Sequence, residues 1–336
     1  MRRGWLLLFL PALVHAEDFS FDISNYEKKT YEWSGYLELS GEHIDLDQDS
    51  AFYNLSIPAN ESPDSFQRYS GTAELSGLYR FDNASLNFRG QANAQDSYFG
   101  NQHDTSVHEL YYTASDSDRL SFDIGKKVIK WGKGYAWNPV GFIERPKDPN
   151  DPALSREGFT LASVDYVRSF DGPLKTIAIT PVILPVTNSL NEDFSSIEDT
   201  NFAAKLYMLY HDTDIDFMFL AKGSRAARFG VDFSQNLTTN FEIHGELAYI
   251  NDQSRVVIDS SNQLVIKNQD AVNGLLGLRY LSEMEVTWII EYYHNGTGYS
   301  ESEMESFFHH AKTCTAVSPS PFALAKNVQQ SGYAIP

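Results

Sequence analysis

The chain has 336 residues, with 45 Asp and Glu against 26 Lys and Arg for a formal charge of −19, which argues against nucleic acid as a partner. A single cysteine, Cys314, excludes an internal disulfide, so this is not a small stapled secreted domain. The 22 Phe, 19 Tyr and 5 Trp are residue types favoured in strands and at membrane interfaces.

Residues 1–16 read MRRGWLLLFLPALVHA, two arginines, a short apolar run and a small-residue end. This is the pattern of a secretory signal peptide cleaved after Ala16. Loss of Arg2 and Arg3 takes the charge from −19 to −21, and residues 17–30 are expected to form a periplasmic segment. No later stretch offers the roughly 20 apolar residues that a membrane-spanning helix needs. The best, residues 174–186, carries Lys175, Pro181 and Pro185. Membrane residence therefore requires a β-barrel.

From Tyr31 to Ser40 apolar Tyr31, Trp33, Leu37 and Leu39 alternate with Glu32, Ser34, Glu38 and Ser40, the period of a strand with one wet face. Residues 41–68 read as an acidic loop, with residues 51–55 a candidate short strand. Six hairpins follow, at 72–81/86–95, 107–114/119–131, 160–170/173–185, 201–211/214–222, 226–235/240–250 and 271–280/285–294. Many of these strands reach about ten residues, beyond the 5 to 6 usual in soluble proteins. Short turns alternate with longer polar connections, as periplasmic turns alternate with extracellular loops in outer-membrane barrels. The expected fold is all-β, an up-and-down transmembrane antiparallel barrel of 13 to 14 strands over residues 31–294, in preference to a soluble β-sandwich.

One strand and six hairpins give an odd count, whereas single-chain bacterial barrels have an even number. The sequence thus predicts a chain incomplete at its C-terminal end, unless residues 51–55 or 255–267 hide one further strand. Residues 299–312 read as an amphipathic helix opened by a capping box, Ser300 with Glu303. With residues 295–298 and the irregular tail to 336, it is expected outside the cell.

Residues 119–157 stand apart: a strand gathers Lys126, Lys127, Lys130 and Lys133 and runs into a long loop rich in aromatics and prolines. Its segment GKKVIKWGKGYAWNPVGFIERPKDPNDP, from Gly125, resembles the Gly, basic pair and Trp-Gly segment of porin-like outer-membrane proteins of Gram-negative bacteria, alginate-export-like porins included. The resemblance implies a passive pore or substrate channel in the outer membrane and no particular solute; the expected role is passive passage of small polar or anionic solutes, with outer-membrane lipid and lipopolysaccharide as partners.

With apolar faces outward, the lumen set is Glu74, Arg80, Asn87, Arg89, Gln91, Lys205, Asp216, Arg228, Asp232, Glu242, Glu246, Arg279, Glu285 and Glu291. Opposed charges on facing walls would orient polar solutes, or else merely salt-bridge a hydrated interior. The loop adds Lys127, Lys130, Lys133, Arg145, Lys147 and Arg156. If it folds inward these cations could bind carboxylates, with Trp131, Tyr135 and Trp137 stacking on a sugar ring. The competing reading is an aromatic girdle above a solvated loop.

No metal site is expected. The acidic runs at 45–49 and 192–199 lack EF-hand spacing, and adjacent His309 and His310 point apart on a helix. No phosphate loop, G-x-S-x-G or Ser/His arrangement suggests an enzyme, and no cofactor is implied. A structural or adhesive surface protein and a barrel-embedded lipid hydrolase are the alternatives to a channel.

Overall fold

The computed structural model describes residues 29–57, 61–149, 156–258 and 264–317. Thirteen strands form one sheet in sequence order, every neighbouring pair antiparallel. They are β1 (Tyr31–Asp45), β2 (Ser65–Arg80), β3 (Ala84–Ser97), β4 (Gly100–Ser117), β5 (Leu120–Lys127), β6 (Phe159–Ser169), β7 (Leu174–Val186), β8 (Asp199–Tyr210), β9 (Thr213–Leu220), β10 (Arg228–Thr238), β11 (Phe241–Ile258), β12 (Leu264–Leu281) and β13 (Thr287–Asn295). Two helices, α1 (Ala51–Ser56) and α2 (Glu301–Val317), complete the described elements. None of the described helices is long and apolar enough to cross a membrane. The signal peptide, residues 17–28 and the tail from 318, with the predicted incompleteness that rests on it, lie outside the described residues.

The expected alternation sorts two faces. Leu37, Leu39, Leu75, Ile124, Phe202 and Leu276 stay exposed on the outer face, Leu39 at 78%, as residues that meet hydrocarbon must. Their neighbours along each strand, such as Gln91, Asp123, Asp216 and Glu246, are buried on the inner face. The inner face is curled into a barrel, because residues 128–149 touch walls far apart in strand order. Val128 N–H donates to Glu109 on β4 and Tyr135 N–H to Glu291 on β13. Edges β1 and β13 make no pair with each other among the described residues.

The even-to-odd connections are short. At the β8–β9 turn His211 and Asp212 take φ of 48° and 58°, the left-handed pair of a type I′ hairpin. Connections at the other end differ from expectation in three places. Residues 51–55 belong to helix α1, whose N-cap Ser50 accepts the Phe52 N–H at 3.2 Å. Residues 255–258 and 264–267 are no separate strand but lengthen β11 and β12, Arg255 facing Lys267. The expected connection after residue 95 is a two-residue turn, Tyr98 and Phe99, between strands that extend upward instead. The capping box of α2 is present, with Ser300 N–H on Glu303 at 2.8 Å and Glu303 N–H on Ser300 Oγ at 3.3 Å. Phe52 of α1 packs against Phe307 and Phe308 of α2, ring centres 6.1 and 5.9 Å apart. Helices that follow the first and last strands thus meet.

Candidate functional site: a loop clamped inside the barrel

Strand β5 ends at Lys127, four residues short of the predicted Trp131. Here the chain turns inward because Val128 N–H is taken by the Glu109 carboxylate at 3.0 Å, and the ladder resumes only where Gly158 N–H reaches His108 O at 2.9 Å. The loop between them lies against the inner walls of β6 to β13.

Its lower surface is apolar. Ile129, Trp131, Val140, Phe142 and Ile143 pack with Leu161 of β6, Val182 and Leu184 of β7, Met218 and Leu220 of β9 and Ala248 of β11 in one buried cluster. Trp131 is 3% exposed and Phe142 fully buried. Gly230 makes room for this, since a Cβ there would stand 2.9 Å from both Phe142 and Val140. Trp137 stacks on Tyr293 of β13, centres 5.4 Å apart and planes 17° apart. The aromatic-girdle reading of Trp131 and Trp137 is thereby corrected: the inner wall offers them apolar partners, so they fill the lumen instead of facing lipid.

Carboxylates of the wall hold the loop's backbone. Glu246 accepts the N–H groups of Lys133 at 2.6 Å, Gly134 at 2.5 Å and Val140 at 3.3 Å. Glu291 accepts those of Tyr135 at 2.5 Å and Ala136 at 2.8 Å, and bonds His244 Nε2 at 2.9 Å. Hydrogen bonds to a charged acceptor are roughly twice as strong as neutral ones. The Trp-Gly motif now has a physical reason. Gly132 sits at φ +93°, and a Cβ would lie 2.7 Å from Glu246 Oε1. Side chains there would expel the carboxylate that clamps the loop.

The loop's cations also find partners. Lys133 pairs with Asp216 at 2.9 Å, and Asp216 also faces Lys205 at 3.9 Å. Burial works to lower the Lys133 ammonium, but Asp216 outweighs it and raises it. Lys127 binds Asp123, Lys126 binds Glu157, and Arg145 binds Asp193 and Glu157. Arg156 meets Glu144 at 2.7 Å, and Glu144 also accepts the Trp131 N–H at 2.7 Å. Burial nevertheless pushes the Glu144 carboxyl up to about 7. Because that value lies above the unfolded one, the protonated carboxyl favours docking, a contribution full below about pH 4.5 and lost as pH rises through about 7. The Glu144→Gln variant is expected to keep the loop docked and to remove this pH dependence; hydrogen exchange of residues 128–149 at pH 5 and pH 8 measures it.

On the other strands, Arg80 pairs with Glu32 at 2.7 Å and Arg89 with Glu109 at 3.0 Å. Arg279 lies 3.8 Å from Glu242 and its guanidinium sits 6.0 Å from the Tyr135 ring. Arg228 is on the inner face of β10 with its Nε unpartnered, and Asp232 is buried beside Asp216 in register. Glu285, predicted on the last strand, lies in the turn before it at φ 60°, because β13 starts only at Thr287. Lys130 is exposed. Sequence reasoning missed Arg225, which lies 3.7 Å over the Phe194 ring and donates to Phe194 O at 2.7 Å and Phe142 O at 3.3 Å, tying two loops together. Burial and nearby Arg228 pull its guanidinium down to about 9.

The lumen is therefore asymmetric. The β6–β13 side is largely occupied by the loop, while larger cavities of about 1080 and 530 Å³ follow the inner wall of β1 to β6, lined among others by Glu74, Arg80, Arg89 and Tyr111. Among the described residues no group of acidic, His or Cys side chains is placed to hold a metal ion.

No protein-family model matches the chain, and no curated protein sequence does. Among solved structures it is similar to Salmonella typhi OmpF in complex with daunomycin, at 10% identity and TM-score 0.47, covering 78% of each chain. A mutant porin of Rh. blastica aligns at 11% identity and TM-score 0.38 over 80% of this chain and 95% of that one. The ferric enterobactin receptor of Pseudomonas aeruginosa aligns at 13% identity and TM-score 0.34 over 75% of this chain. The chain spans only 44% of that receptor's length. Sheet order, register and faces establish the architecture independently of these likenesses.

Proposed function

We propose that the protein is an outer-membrane channel that passes small polar and anionic solutes passively, its bore set by the loop of residues 128–158. The observation that carries this reading is a polar inner wall with open volume along β1 to β6, beside a loop fixed within the lumen by Glu246 and Glu291. Charged pairs such as Arg89 with Glu109 create a transverse field on a polar solute in the passage. Export by the N-terminal signal peptide, with cleavage after Ala16, delivers the chain to the periplasm, and lipid with lipopolysaccharide surrounds the outer face. The porin-like resemblance of the loop motif fits the same reading.

Reconstitution into planar bilayers tests it. Stepwise ohmic currents are expected; a folded preparation that inserts into lipid and leaves the membrane silent overturns the channel and leaves a surface-adhesive role.

A further inference from the structure

The loop holds two lysines, Lys130 and Lys147, that make no direct ion pair among the described residues. Lys147 is half-buried, and its ammonium donates to the neutral carbonyl of Gly134. Among the described residues no carboxylate oxygen lies within 4.0 Å of it, nor of Lys130. Burial lowers the Lys147 ammonium, against the opposing pull of Glu144, Glu246 and Glu291.

Both lysines line one cavity of about 390 Å³ between the loop and strands β10 and β11, together with Lys133, Arg156, Tyr135 and Ser234. Its volume lies within the roughly 300–1,000 Å³ of small-ligand sites. Of the remaining cations on its wall, Lys133 is turned to Asp216 and Arg156 to Glu144. The acidic groups on the wall are Glu144 and Glu242. Glu144 answers Arg156, and Glu242 lies near Arg279, Ser234 Oγ and the Tyr135 hydroxyl. Lys130 and Lys147 are thus the cations on this wall left without a direct ion pair among the described residues. An entering anion would replace water around the half-buried Lys147 ammonium, which makes the attraction there stronger than on an open surface.

We propose that this cavity is a binding site for a small organic dianion bearing two carboxylates, received by Lys130 and Lys147. The site deepens the channel reading, naming the solute class that dwells beside the passage. Two ammonium groups on one cavity suit a dianion better than a monoanion, because each carboxylate can take one charge-assisted hydrogen bond.

Calorimetry on the full chain, refolded in detergent and titrated with succinate, tests the site without requiring conductance. Wild-type protein is expected to bind one succinate with saturation in the millimolar range or tighter, acetate binding at least tenfold more weakly. The paired change Lys130→Gln with Lys147→Gln is expected to weaken succinate at least tenfold, whereas Lys175→Gln, outside the loop, leaves it unchanged. Each single change is measured too, so that a fold defect in the pair, seen as lost heat-modifiable migration on a gel, does not decide the outcome. Absence of saturable heat with wild-type protein, or equal binding by wild type and both single variants, overturns the site. Binding retained in a protein that conducts no current overturns the channel and leaves the site standing.

Discussion

Glu246→Ala is expected to release the loop of residues 128–158 from the wall and raise single-channel conductance several-fold. The carboxylate accepts three backbone N–H groups from the loop, and each donor left buried without a partner costs about 1–3 kcal/mol. No other described side chain stands in its place, because Gly132 and Gly134 were left bare around that carboxylate. Glu246→Gln keeps one acceptor oxygen and should lie between wild type and Ala. Proteolysis supplies a second reading: cleavage after Lys130, Lys133 and Lys147 should become rapid in Glu246→Ala while the strands resist. A variant with wild-type conductance and a protected loop would refute the clamp.

The second large effect is expected at Phe142. Truncation of a fully buried phenylalanine costs about 3–5 kcal/mol, and Phe142 has no exposed surface and sits against Gly230 and Val140. The loss falls on docking of the loop and spares the sheet, whose ladders do not involve that side chain. Phe142→Ala should therefore speed hydrogen exchange of residues 128–149 by about a hundredfold or more, as about 1.4 kcal/mol per tenfold requires, with exchange of β8 and β11 unchanged. Uniform acceleration through the sheet would mean that the cluster supports the barrel as a whole.

These two residues also mark what a reader of the sequence can and cannot see. Alternation in β1, β2 and β3 is plain because one face meets lipid and the other water, so apolar and polar residues must take turns. In β7, Pro181 to Val186 blurs that pattern. Ile183 stays exposed on the outer face while Val182, Leu184 and Val186 are buried against the loop, so both faces are apolar, as in any doubly covered strand. The blurred stretch thus marks where the loop docks, yet nothing local says what covers it. The roles of Glu246 and Glu291 are hidden for a related reason: the N–H groups they accept are 112 and 156 positions away in the chain. A carboxylate on an inner face looks the same whether it meets water or a backbone donor. The glycines of the Trp-Gly segment were the available signal, since space left at Gly132 requires something to fill it. Helix α1 escaped because six residues are too few for periodicity to separate helix from strand.

The meeting of Phe52 with Phe307 and Phe308 has a geometric consequence for the seam. β1 and β13 run the same way, and the aromatic clasp fastens their ends on the side where both finish. Free N–H and C=O groups along both margins are costly in hydrocarbon. The clasp therefore holds the segments leaving the two margins together by ring contact, where the described residues supply no hydrogen-bonded ladder.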